Sequence, residues 1–406
     1  MISKLFAGID ISSKEAVLCC LDQDGYQLEP SHSYTNDFDG ANEIFDAISA
    51  FEATEVHVGF EATSVYGAHL RDFLISTGGV SHGWFVYEVN PALVAGFKKS
   101  FPKRPKTDHF DAWLIAERIR FGRLEPYSYQ RKLTEPLLQL TRHRLHLIEL
   151  VTAEQNRAGH MMFLKFSNYR RDNPFSNTFG KASLALLRDF SPDELANRDT
   201  QELANFIADN GNNRLKDIKG MAAEIQAMAK KAYRLSPKMK NSIDVTLNMT
   251  LHNIEFFKSQ VKKLDKAIAQ EMKAISQTLT TIPGIGPVWG AGILAEIGDI
   301  ARFRNEAALA QYAGLTWSRY QSGHFDAEDR RLTKHGNRYL RYYLVEAANS
   351  LRVHNEEYNA YYQTKYKEVS KHQHKRALVL TARKFVRLVY ALLSKGQIYR
   401  PEVIKN

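Results

Sequence analysis

The sequence predicts an α/β domain at the amino end followed by a mainly helical remainder, and three observations carry that expectation. Over residues 1–130, short apolar runs with strand character alternate with segments of helical period. Beyond them the apolar spacing lengthens to alternating steps of three and four residues, the mark of long helices. After Thr281 the composition shifts again, to a glycine-bearing turn and a compact helical segment with a basic end.

Residues 5–11 are an apolar run carrying Asp10 near its end, and residues 16–21 are a second run, followed by a turn signal at Asp22-Gln23-Asp24-Gly25. Residues 41–51 have helical spacing through Ile44, Phe45, Ile48 and Phe51. A strand over 55–60 stops just before Glu61, and a helix over 66–76 and a strand over 80–89 follow. This order argues for a mixed sheet with helices packed on it. Residues 97–107 are basic and broken by proline. A helix then begins near Thr107, with Thr107 or Asp108 as its N-cap.

Leu133, Leu137, Leu140, Leu147 and Val151 open the long-helix region. Leu247, Ile254, Val261, Ile268 and Ile275 recur every seven residues, with Phe257 and Leu264 in the intervening seam. Between them, roughly residues 168–237 are polar and helix-forming, with loops at Asp209-Asn210-Gly211-Asn212-Asn213. Two long helices flanking an insertion predict an antiparallel stalk, or equally an ordinary helical bundle. The expected domains are 1–130, 131–280 and 281–406.

The 44% hydrophobic and 25% charged content is that of a soluble globular chain. No apolar run is long enough to cross a bilayer, and the start shows no signal-peptide cleavage region, so a cytoplasmic, nucleoid-associated protein is expected, with no membrane partner. Cys19 and Cys20 are adjacent on a strand, point to opposite faces and read as strand packing rather than a disulfide. A net charge of +10 favours polyanions and so points to nucleic acid.

Four acids stand where a sheet gathers side chains: Asp10 at the end of the first strand, Glu61 after a later one, and Asp108 and Asp111 three apart on a helix start. Each alone reads as well as a cap or a solvated side chain. Together, in this order, they resemble the RuvC and RNase H-like nuclease fold. Gathered carboxylates repel one another, and a hard divalent ion such as magnesium is their natural compensation. In the carboxy-terminal part, IPGIGPVWGAGILAEIGD resembles a helix-hairpin-helix, in which Gly284 and Gly286 let backbone amides approach a phosphate; a tight turn between core helices is the alternative. Ser322 lies in a polar loop-like segment, where a serine is ordinarily a loop residue and Ser318 is equally eligible on chemistry. Lys103, Arg104 and Lys106, and further on Arg331, Lys334, Asn337 and Arg338, offer charge and donors for phosphates. The pairs His143/His146 and His372/His374 have no further ligands at metal spacing and read as solvated or phosphate-facing.

GIDIS, GFEATSVYG, KTDHFDAWLIA, IPGIG, FRNEAALAQYAGL, the QSGH segment and LTKHGNRYLRYYL jointly resemble the DEDD transposases of the one-ten class of insertion sequences, kin to the Piv pilin-gene invertases. The resemblance covers both ends of the chain and leaves approximately residues 163–242 less defined. It implies a RuvC-like domain, a coiled-coil link and a carboxy-terminal transposase domain. Its metal tetrad falls on Asp10, Glu61, Asp108 and Asp111, with Mg2+ as cofactor, and its nucleophilic serine on Ser322. It further implies donor and target DNA, a noncoding guide RNA encoded by the element, and dimers that assemble into tetramers in which serine and tetrad meet across protomers. This chain departs from the family pattern beside the serine, with Gln321 before it, His324 after it, and Asp326, Glu328 and Asp329 where a basic loop is usual. The tetrad alone also fits a metal-dependent, junction-resolvase-like nuclease using water, and the basic segments alone fit a non-enzymatic nucleic-acid-binding scaffold.

Overall fold

In the computed structural model, the residues described are 2–62, 65–101, 107–127, 129–211, 215–317, 321–322, 325–326 and 332–401. The side chains of 129–132, 321, 322, 325 and 326 lie outside that description. Contacts divide the chain into two units, Met1–Lys132 and Leu133–Asn406. Among the described residues no helix is long and apolar enough to cross a membrane.

The first unit is built on a five-stranded sheet of order β3-β2-β1-β4-β5. Its strands are β1 (Lys4–Ile11), β2 (Glu15–Leu21), β3 (His32–Thr35), β4 (Glu55–Glu61) and β5 (Phe85–Val89). β2 runs antiparallel to β1 and β3, whereas β4 is parallel to both β1 and β5. This mixed sheet and its helices are compatible with a RuvC-like α/β domain. Side chains alternate along β1 and β4 as a pleated strand requires. Leu5, Ala7, Ile9, Val56, Val58 and Phe60 enter one core, with Ile44 and Ile48 of α1 (Phe38–Ser49). Phe6, Cys19 and Tyr87 enter the core on the opposite face, with Ala112, Ile115, Ala116 and Ile119 of α4 (Asp108–Arg120). Cys19 and Cys20 are free, buried, and divided between these two cores.

Three local expectations are corrected. The helix expected over 66–76 is a 3₁₀ turn (Val65–Gly67), then α2 (Ala68–Phe73), then a π-helical stretch (Leu74–Val80), so β5 starts later than expected. A helix that was not anticipated, α3 (Pro91–Lys98), fills the space before the basic stretch. Asn90 caps it, accepting from the Ala92 amide at 2.8 Å, and proline stands in its first turn, where its missing N–H costs nothing.

The second unit opens on α5 (Tyr129–Lys165) and returns along α11 (Pro237–Glu271). Arg144 pairs with Asp265 at 2.6 Å and Lys165 with Asp244 at 2.8 Å. Moving 21 residues forward on one helix matches moving 21 back on the other, so the two run antiparallel in continuous register. Leu247, Ile254, Val261 and Ile268 are buried in α11 as their heptad spacing predicts, but Ile275 falls beyond the helix end. Between the two helices lie α6 (Tyr169–Asp172), α7 (Lys181–Asp189), α8 (Pro192–Asn197), α9 (Thr200–Asn210) and α10 (Ile218–Lys230). They close on a core of their own that also takes in Met162, Phe166, Leu247 and Leu251. The remainder forms a larger helical core from α12 (Pro287–Ile297), α13 (Glu306–Tyr312), α14 (Arg338–His354), α15 (Glu356–Lys367) and α16 (Gln373–Lys395). Its two small strands, β6 (Gln321–Ser322) and β7 (Phe325–Asp326), pair antiparallel.

Candidate active site

Strand parity places the first two acids. Ile9 lies beside Phe60 in the parallel β1–β4 pairing, so Asp10 and Glu61 are the next residues along adjacent strands. Both follow the parity of Phe6 and Gly8, which turns them away from the Ile9 core toward the layer that holds α4. α4 is drawn onto β1 by a deletion of bulk at Gly8. A Cβ there would stand 2.2 Å from the Ala112 carbonyl oxygen and 2.3 Å from the Ala116 amide nitrogen, backbone atoms that cannot swing aside. The glycine of GIDIS is therefore the seat of the helix that carries the other two acids.

The Thr107 hydroxyl caps α4, accepting from the Phe110 amide at 3.2 Å, as the sequence predicts. Asp108 and Asp111 sit in the first turn, where the helix dipole favours negative charge. Two of the acids feel the others' charge. Burial raises the Asp10 pKa above the usual aspartate range, and the charges of Asp111 and Asp108 raise it further. Burial also raises that of Glu61, with the charges of Asp10 and Asp111 adding to it.

A cation reaches these acids. Lys98, the last residue of α3, places its ammonium on the Asp111 carboxylate and over the Phe110 ring, 5.6 Å from the ring centre. Its charge works against the upward shifts of both Asp10 and Glu61. Sequence reading put Lys98 in the basic stretch but gave it no part in the acid cluster. The missed signal was the short helix that returns the chain to the strand ends.

The donor set fits a hard divalent cation: four carboxylates, no soft ligand, and a local excess of negative charge. Among the described residues, no three His, Cys, Asp or Glu side chains stand in metal-holding geometry.

In the second unit, Ser322 pairs with Phe325 on the two-residue ladder of β6 and β7; its side chain lies outside the described residues, and so does Ser318. The root of this excursion is well defined. Trp317 bridges Leu332, and the Thr333 amide donates to the Thr316 carbonyl at 2.9 Å. Gly336 has φ +129°, a conformation few other residues adopt, and a Cβ there would meet the Tyr312 carbonyl oxygen at 2.3 Å. Asn337 then caps α14 by accepting from the amides of Tyr339 and Leu340, while its Nδ2 donates to Glu296 at 2.6 Å. The Glu296 side chain, only 1% exposed, receives both Nε and Nη2 of Arg142, at 2.7 and 2.9 Å. Arg341 donates to the carbonyls of Ala313 and Lys334. This anchoring network of Arg142, Glu296, Asn337 and Arg341 was not anticipated. A glutamate inside the apolar run GAGILAEIG was the available signal.

The phosphate-contact candidates divide accordingly. Lys103, Arg104, Lys106 and Arg331 lie outside the described residues. Lys334 is exposed, with φ +53°. Arg338 pairs with Glu149 and lies over Tyr339, and the Asn337 amide is engaged in the internal network just described. Gly284 has φ +82° and its carbonyl accepts from the Ser350 hydroxyl at 2.7 Å, whereas a side chain at Gly286, the N-cap of α12, would meet open space. Ahead of this turn stand 3₁₀ turns (Met272–Ala274 and Leu279–Thr281) rather than the first helix of a hairpin. His374 bonds the Tyr362 hydroxyl at 2.7 Å, and His143 and His146 are exposed side by side on α5.

Comparison with known proteins reaches both units. A family model described as a transposase matches residues 7–166, and one described as the transposase IS116/IS110/IS902 family matches residues 276–363. The uncharacterized 44.8 kDa protein of insertion element IS116 from Streptomyces clavuligerus is 24% identical over 326 residues, 79% of each chain. The pilin gene-inverting protein of Moraxella bovis is 25% identical over 337 residues, 79% of this chain and 75% of that one. The transposase for insertion sequence element IS1111A of Coxiella burnetii is 27% identical over 174 residues, 43% of this chain and 47% of its own.

Proposed function

Since the chain belongs to the IS116/IS110/IS902 family of transposases, enzymes that cut and rejoin DNA, we propose that it does so through a covalent link between DNA and Ser322. Asp10, Glu61, Asp108 and Asp111 would hold Mg2+. When bound, the ion polarises a scissile phosphate and spreads the charge of the entering and leaving oxygens. The chain's own part is to present four carboxylates, two from adjacent strands of the sheet and two from the first turn of α4. The Ser322 hydroxyl attacks phosphorus, a phosphoserine ester forms, and the strand's P–O bond breaks to leave a free hydroxyl that takes up the serine proton. A hydroxyl of another strand then attacks that ester, restoring the phosphodiester and the serine. The bond energy stays in the ester, so no nucleotide hydrolysis is needed.

The observation that supports this reading is the placement of Asp10 and Glu61 on adjacent strands against the layer that holds α4, with Asp108 and Asp111 in that helix's first turn, near enough for their charges to raise the Asp10 pKa. The absence of any recognisable base-reading helix-turn-helix or zinc finger in the sequence suits recognition delegated to a noncoding RNA that pairs with donor and target. In this reading Gly286, Lys334 and Arg338, with Lys103, Arg104, Lys106 and Arg331, meet nucleic-acid backbone. The antiparallel α5–α11 pair is the stalk on which dimers and tetramers assemble, bringing serine and tetrad together across protomers.

The test is a cleavage reaction with element-end DNA and its RNA, resolved on a denaturing gel. DNA attached to protein is expected with the parent, and none with Ser322→Ala, which still binds DNA and RNA. Free ends alone would replace this reading with hydrolysis by a water nucleophile. An adduct that persists in Ser322→Ala would move the nucleophile to another hydroxyl, Ser318 first.

A further inference from the structure

We propose that Lys98 is a placeholder cation: its ammonium holds the acid cluster together before a divalent ion arrives and is exchanged for that ion on loading. The inference rests on the metal reading of Asp10, Glu61, Asp108 and Asp111 given above.

Its basis is where α3 ends. Asn90 and Pro91 set the start of the helix one residue beyond β5, and eight residues advance the chain by about 12 Å. That brings its last side chain beside the first turn of α4, where the ammonium pairs with Asp111. Lys98 thus joins the carboxylates of Asp10, Glu61, Asp108 and Asp111, and its field reaches Asp10 and Glu61 as well as its direct partner.

The contact is also built for release. Lys98 remains 34% exposed and Asp111 21% exposed, so exchange takes place at the protein surface without opening a core. A lysine offers one compact charge on a flexible four-carbon stem. Against four carboxylates, a single ammonium leaves most of the repulsion in place. A dication offers twice the charge and takes several carboxylate oxygens at once. Both cations compete for Asp111, so the lysine weakens the ion's binding while it makes the metal-free cluster tolerable.

The experiment titrates full-length protein with Mn2+ by calorimetry, taking Asp10→Asn as the background, and measures melting in EDTA and in saturating Mg2+. Lys98→Met, which keeps the length and removes the charge, is expected to bind Mn2+ about tenfold more tightly than the parent, the effect of one pKa-sized charge interaction. It melts below the parent in EDTA and alongside it in saturating Mg2+, while Lys98→Arg behaves as the parent does in both assays. Unchanged or weaker Mn2+ binding by Lys98→Met, with the parent still binding, overturns the placeholder role and leaves the metal site standing. A parent titration indistinguishable from Asp10→Asn overturns the metal reading itself.

Discussion

The acid cluster and the serine segment are secured in opposite ways. Asp10 and Glu61 sit on strands of eight and seven residues, each hydrogen-bonded to a neighbour on both sides and packed between two cores. Ser322 sits on a ladder two residues long, and what is firmly held there is the root, where Gly336, Asn337, Glu296 and Arg142 lock together. The carboxylates take their geometry from the sheet. The proposed nucleophile and the acid cluster therefore depend on different parts of the sequence, and substitutions in the two regions should fail differently.

The largest contrast is expected from Asp10→Asn set beside Ser322→Ala. Both should lower adduct formation on the order of a thousandfold or more on a denaturing gel, but only Asp10→Asn should abolish the rise in melting temperature on adding Mg2+. The same variant carries a pH signature. Asp10 and Glu61 have carboxyl pKa values raised by burial and then by neighbouring carboxylates, Asp111 and Asp108 for Asp10 and Asp10 and Asp111 for Glu61, so the fold holds their protons more tightly than the unfolded chain does. Their cost to stability is absent below the ordinary carboxylate range near pH 4, appears as pH rises toward the raised values, and is constant above them. In EDTA, then, Asp10→Asn should gain stability over the parent as pH climbs from about 4 to 8, read from paired melts. A difference independent of pH would remove the coupling from the account.

Gly8→Ala comes next. The added methyl group has nowhere to go against α4 backbone, and a loss of about 3 kcal/mol is expected in denaturant titration. That loss should appear in unfolding of the first unit and leave the second unit's transition in place. A mild effect would show that α4 can lift from β1, and the comparison would lose its rigid side. Asn337→Ala should cost less, about 2 kcal/mol, through a lost helix cap and the loss of one of the two donors to Glu296 Oε2, Arg142 remaining as the other. It should lower adduct yield while leaving divalent-ion binding by the acids unchanged, which a parallel Mn2+ titration would check.

Much of the first unit was legible because its information is local. The apolar runs LFAGIDI and EVHVGF marked the strands that carry Asp10 and Glu61, and Thr107 marked the start of α4. Where determinants are dispersed, the sequence was silent. Lys98 meets Asp111 across 13 positions, and Glu296 meets Asn337 across 41 and Arg142 across 154. No periodicity records such pairs. The stretch read as polar between the long helices has an apolar core after all, but each of its short helices supplies only a few of the buried residues, too few to form a stripe. α3 was hidden because a single buried residue, Val94, suffices to seat it.

The pairing of Lys165 with Asp244 has an evolutionary corollary. The chain departs from one helix and rejoins the other at the same rung, so everything between the two rungs behaves as a cassette. Its length and content can drift without moving the Arg144–Asp265 rung, provided the new occupant shields Ala158, Met162, Phe166, Leu247, Leu251 and Ile254 and replaces the pairing of Arg188 with Glu255. Sister elements are therefore free to carry a different module at this spot, grown or trimmed under selection of its own, while the two flanking helices keep their register.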